Sequence, residues 1–180
     1  LAQDSIVFDV AYAPASYTLP SIAALLSGRY PEEVGILENV NLFKPRDGLA
    51  TLPEILRVHG WRTGAAVSNH VLRRGTGIEK GFGVYDDTLT EIEANRSQPE
   101  RSAAATTRAA LGVLDSIREG EAAGLFLWVH YQDPHGPYQP PDGLRERFLE
   151  FANAASDAER ILPSRGINPH SAIPSYQLVE

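Results

Sequence analysis

Cysteine is absent from this 180-residue sequence, which excludes disulfides and thiolate metal sites and leaves the redox compartment open. Basic residues are scarce: 16 Lys and Arg stand against 23 Asp and Glu, a formal net charge of −7. No Lys/Arg cluster reverses that balance locally, so nonspecific nucleic-acid binding, which needs a positive face for phosphates, is excluded. No apolar run approaches the ~20 residues of a membrane-spanning helix. Internal repeats and low-complexity tracts are missing, and none of Ser16, Ser21 and Ser27 lies in a Gly-x-Ser-x-Gly elbow, which argues against an independent Ser-His-Asp hydrolase. What remains is 43% hydrophobic and 22% charged, enough to bury one ordinary core.

The most informative stretch is Tyr17-Thr18-Leu19-Pro20-Ser21-Ile22-Ala23-Ala24-Leu25-Leu26-Ser27-Gly28-Arg29-Tyr30-Pro31. A compact apolar helix from about Leu19 to Ser27 is expected, opened near Pro20 and closed by Gly28. Thr18 reads as its N-cap, and the unpaired N–H groups beyond it form a place for an anion. A hydroxyl in that position has two readings, a plain cap or a nucleophile facing a sulfuryl or phosphoryl group.

Around it the chain alternates strands and helices, the pattern of an α/β fold. Strands are expected at Ser5–Ala11, Thr63–Ser68 and Gly124–Tyr131, the last as a continuous apolar run covered on both faces. A short helix is expected at Thr51–Gly60, with a capping threonine, a first-turn proline and glutamate, and a glycine stop. Ala110, Val113, Leu114 and Ile117 mark one face of a longer helix over Arg101–Glu119. Pro31–Asp47 and Gly75–Asp87 read as loop, Leu144–Leu162 as a surface helix, and Pro163–Pro174 as irregular.

These segments together resemble the sulfatase family of the alkaline-phosphatase superfamily. Its signature, Cys/Ser-x-Pro-Ser-Arg, a small-apolar run and Thr-Gly-Arg, is matched at Pro20, Ser21, Ala23, Ala24, Leu25, Leu26, Gly28 and Arg29, with Ser27 for the threonine. Tyr30 and Pro31 extend the match. Leu52-Pro53-Glu54-Ile55-Leu56 with Gly60-Trp61-Arg62-Thr63, Gly81-Phe82-Gly83-Val84-Tyr85-Asp86, and Phe126 through Tyr138 ending in Pro134-His135-Gly136-Pro137-Tyr138 continue it. The likeness is strongest over residues 6–141, with 142–180 as a helical or irregular extension. It implies an alkaline-phosphatase-like three-layer sandwich with a mostly parallel central sheet, incomplete in this chain. Neither the family's paired aspartates nor its Asp-His-Gly segment appears, so the sequence reads as an internal part of a larger catalytic domain.

The resemblance also implies site residues. Thr18 stands where sulfatases carry the cysteine or serine that becomes formylglycine, and Ile22 where they carry arginine. Threonine cannot give that aldehyde, because its β-carbon bears a methyl group. The expected alternative is a metal-bound Thr18 alkoxide attacking a sulfate, phosphate or phosphonate ester of a small molecule. The metal would be calcium in a sulfatase-like site, or zinc or manganese in a phosphoesterase-like one, its other ligands lying outside this chain. Arg29 is expected to support the site, and His135 to contact the anion or protonate the leaving group. Asn39 and His70 are expected at the substrate oxygens, although the lysine that often precedes the latter is replaced in Ser68-Asn69-His70. His135 also reads as a surface histidine, Asn39 as a turn residue, and His130 as a satisfied core histidine or one that backs a ligand-contacting group, while a His130/Asp133/His135 metal triad is disfavoured by the turn. The rival function is a non-catalytic relative that binds an anionic or glycan ligand.

Overall fold

A computed structural model describes residues 2–39, 49–92, 98–135 and positions 143, 144 and 147. The chain divides into two compact units, Leu1–Ile92 with Pro99–Gln132, and Glu93–Gln98 with Asp133–Glu180. In the first unit the elements run α1 (Thr18–Ser27), α2 (Pro31–Val34), α3 (Leu52–Val58), β1 (Trp61–Val67), β2 (Val84–Asp86), β3 (Glu91–Ile92), β4 (Pro99–Glu100), α4 (Ala103–Arg118) and β5 (Gly124–His130). In the second unit, the Arg147 N–H reaches the Gly143 carbonyl at 3.4 Å, one helical turn at the start of the expected Leu144–Leu162 helix. The rest of that helix and the segment Pro163–Pro174 lie outside the described residues.

The sheet is parallel in the order β2-β1-β5, with β1 in register against β5 from Trp61↔Gly124 to Val67↔His130. Because side chains alternate along a strand, β1 serves two cores. Ala65 and Val67 join Leu19, Ala23 and Leu26 of α1, Val34 of α2, and Leu72, Ile78, Phe82 and Tyr85 in one apolar cluster. Ala66 faces the other way, into Ala110, Val113 and Ile117 of α4. The layers are therefore helix, sheet, helix, and the α/β expectation is met. Leu19, Leu72 and Ile78 are fully buried, each worth roughly 1.5–3 kcal/mol relative to exposure.

Local chemistry explains where the helices begin and end. Thr51 caps α3 as expected: its N–H donates to Glu54 Oε2 at 2.8 Å and its hydroxyl donates to the same oxygen at 2.9 Å. Gly28 ends α1 in the left-handed region, φ 66°, with its N–H on the Ala24 carbonyl. Ala110, Val113 and Ile117 form the buried stripe of α4 foreseen from their spacing.

Five expectations need correction. Residues Ser5–Ala11 form no strand; Ile6, Val7, Phe8 and Val10 are 62–85% exposed, because β-formers make a strand only when a neighbouring strand accepts their ladder. Tyr17, not Thr18, is the N-cap of α1, and it makes no side-chain cap bond. Pro31–Val34 is a helical turn, nucleated by Pro31 at its start and closed by Gly35. The loop Gly75–Asp87 contains β2, whose three residues are held by pairing with β1. Finally, β5 is only half covered, with Leu125 41% exposed, since among the described strands it has a neighbour on one edge alone.

Candidate active site

The residues singled out by the sequence lie at the two ends of α1, on the loop after α2, and past the exits of β1 and β5. The strands run parallel, so both exits lie at the carboxyl edge of the sheet, where α/β folds place ligands.

At the start of α1, Thr18 is the first helical residue and is half-buried. Asn39 comes from the following loop and accepts the Leu19 N–H on its Oδ1 at 2.9 Å. Pro20 has no N–H, and the Ser21 N–H already bonds the Tyr17 carbonyl at 3.1 Å. The cradle of free amides expected beyond Thr18 is thus reduced, because Asn39 and Pro20 remove two of them. With its oxygen committed to the helix, the Asn39 amide keeps its NH₂ as the donating end.

Arg29 lies past the other end of α1, and ten residues at ~1.5 Å each keep it about 15 Å of helix away from Thr18. It pairs with Glu33 at 3.5 Å on the surface and lines an open groove with Tyr12, Pro14, Leu25 and Tyr30. The structure therefore does not bring Arg29 to the Thr18 hydroxyl.

His70 opens a 3-10 turn, His70–Leu72, directly after β1. That turn packs against α1 through one apolar cluster containing Leu19, the neighbour of Thr18, and both Val71 and Leu72. His135 belongs to the second unit and is exposed. His130 ends β5 beside Trp128, ring centroids 6.1 Å apart. Burial pushes its imidazole below the ordinary value, so the ring is held neutral, yet its buried Nδ1 has no partner among the described residues. A satisfied core histidine was expected there, and the open Nδ1 departs from it.

Two groups escaped the sequence reading. Arg101 is 3% exposed and grips the carboxyl edge: one nitrogen donates to Asp86 Oδ1 at 2.6 Å and the other to the Val67 carbonyl at 2.6 Å. An arginine just before a helix start, where the dipole disfavours a cation, was the available signal. Beyond the strands, Ser68 Oγ donates to the His130 carbonyl at 2.8 Å and Asn69 Nδ2 to Gln132 Oε1 at 2.6 Å. Tyr85, its phenol kept protonated by burial, donates to the Leu72 carbonyl at 2.5 Å and braces the His70 turn from beneath.

A family model described as Sulfatase matches residues 1–178. The chain belongs to the sulfatase family. Among its relatives, human N-sulphoglucosamine sulphohydrolase is 32% identical over 167 residues, 89% of this chain and 31% of that protein. Human arylsulfatase A is 37% identical over 86 residues, 46% of this chain and 16% of that one. This sulfatase chain thus spans about a third of the first relative's length. Two solved structures share its fold: BT4656 in complex with its substrate D-glucosamine-2-N,6-O-disulfate (TM-score 0.52, 19% identity, 73% of this chain and 28% of that one), and Ps i-CgsB in complex with a neocarrahexaose (TM-score 0.53, 20% identity, 81% and 40%). The architecture is that of the alkaline-phosphatase-like sulfatases.

The family implies a divalent metal. Among the described residues no group of three or more His, Asp or Glu converges to hold one, and a single threonine hydroxyl does not make a site. These residues do not fit the metal by themselves.

Proposed function

We propose that the protein carrying this sulfatase domain hydrolyses a sulfate, phosphate or phosphonate ester of a small molecule or glycan, with Thr18 as nucleophile. The observation that supports this is the start of α1: the residue in the family's nucleophile position is half-buried at a helix N-terminus whose next amide is fixed by Asn39. The Thr18 oxygen attacks the sulfur or phosphorus and gives its proton to water. The bond to the ester oxygen breaks, and the departing alcohol takes up a proton from His135 or water. Water then cleaves the Thr18 ester, which restores the hydroxyl and releases the sulfate, phosphate or phosphonate. The NH₂ of Asn39, the positive end of α1 and His70 grip the anionic oxygens. Arg29 supports the site from a distance, by fixing the far end of α1 through Glu33.

Threonine at this position favours phosphate or phosphonate esters over sulfate esters, since the aldehyde chemistry of sulfate ester cleavage is closed to it. The deciding experiment uses the full-length protein with paired aryl sulfate and aryl phosphate substrates, with and without EDTA, beside Thr18→Ala. Turnover reduced at least about 10³-fold in Thr18→Ala supports the nucleophile. Equal turnover in the variant removes Thr18 from the chemistry. No turnover on either ester by wild type favours a fold retained for binding an anion or glycan.

A further inference from the structure

We propose that Asn69 and Gln132 are a positioning pair, whose amide bridge ties the exit of β5 to the turn that carries His70. The inference rests on the reading above, in which His70 serves the anion. The ladder between β1 and β5 ends at Val67↔His130. Two residues further along each strand, the same register is continued by side chains, Asn69 Nδ2 to Gln132 Oε1 at 2.6 Å. The backbone cannot continue it, because Asn69 has turned its main chain to pair with Glu100 on another strand.

Asn69 is 8% exposed and uses both ends of its amide. Its oxygen accepts the Val71 N–H at 3.0 Å and starts the turn at His70, while its nitrogen holds Gln132, the residue before Asp133-Pro134-His135. One side chain therefore shapes the His70 turn and fastens the exit of β5 to it. A single such bond adds little to stability beside a ladder already closed through His130. Its weight falls on placement, where an ångström of drift at a reacting group costs up to about 10²-fold.

The test uses the full-length protein and the variants Gln132→Leu, Asn69→Ser and the two combined. Serine keeps an oxygen for the Val71 N–H but loses the reach to Gln132. Each is assayed for kcat and KM on the ester that wild type turns over, for thermal midpoint, and for the histidine ring resonances by NMR. Gln132→Leu is expected to raise KM about tenfold with kcat changing less, to keep the midpoint within a few degrees, and to shift the His70 ring while exposed His59 stays in place. The double variant is expected to be no worse than Gln132→Leu, as two halves of one bridge require. KM within twofold of wild type, an unmoved His70 ring, or single effects that multiply in the double variant would each overturn the pair. If wild type turns over neither ester, the functional reading fails, and the ring resonances alone decide whether the bridge positions the two exits.

Discussion

The Asn39 side chain holds the Leu19 backbone N–H at 2.9 Å, so the helix that presents Thr18 is capped from twenty residues downstream. This divides the role of Asn39 between its two ends. Asn39→Ala loses both the cap and the amide donor, and is expected to cost about 1 kcal/mol of stability together with activity. Asn39→Asp keeps an oxygen on Leu19 and adds a charge that suits the helix start, so its urea midpoint should equal or exceed that of wild type. The same carboxylate repels an anionic ester, and KM should rise about tenfold or more. An Asp variant with wild-type KM would remove Asn39 from the substrate's surroundings.

Arg101 joins the carboxyl ends of β1 and β2 through Val67 and Asp86. Arg101→Leu strands the Asp86 carboxylate and a strand-end carbonyl, and is expected to cost about 3 kcal/mol or more. Arg101→Lys should recover only part of this, since one ammonium cannot span both acceptors. Urea denaturation of the two variants checks the order.

Gly64 sits where β1 passes under α4, and a Cβ there would lie 2.5 Å from Val113 Cγ1 and 3.2 Å from Ile117. Gly64→Ala is expected to cost about 1–3 kcal/mol by overpacking, and Val113→Ala in the same chain should relieve part of it. Gly81 is less forgiving: it adopts φ +84° and a Cβ would meet the Glu54 backbone nitrogen at 2.5 Å. Gly81→Ala should therefore lower the thermal midpoint further than Gly64→Ala does.

His130 makes stability depend on pH. Burial holds its imidazole below the ordinary histidine value, so the unfolded chain binds the proton more readily than the folded one. Stability from this group is complete above the unfolded value and is lost as pH falls from there toward the lowered folded value. Between pH ~7.5 and ~5 the urea midpoint of wild type should fall, and His130→Phe should flatten that decline. An unchanged slope in His130→Phe would assign the decline to other groups.

Much of this arrangement was legible where the cause is local. Thr51 and Glu54 stand three apart and close a capping box, Ala110, Val113 and Ile117 recur at helical spacing, and Gly28 marks a helix end. Fold class and family followed from such segments. Features made by distant partners left no mark in the sequence. Ile6, Val7 and Phe8 have strand propensity but pair with no described strand, whereas β2 forms inside a glycine-rich stretch because β1 lies beside it. Among the candidate residues, the type at Thr18, Asn39, His70 and His135 was readable. Their placement was not: helix rise puts Arg29 far from Thr18, and a bond across twenty residues gives the oxygen of Asn39 to Leu19.

The parallel run of β1 and β5 also makes the first unit two-sided. His70, Asn69 and Gln132 leave from the front edge, while the turns at His59–Gly60 and Gly120–Glu121, exposed and joined by the Ala123 N–H to the Gly60 carbonyl at 3.1 Å, close the rear. A fluorophore, an affinity handle or a surface tether attached at His59 or Glu121 would hold this unit by its rear and leave the carboxyl edge of its sheet turned to solution.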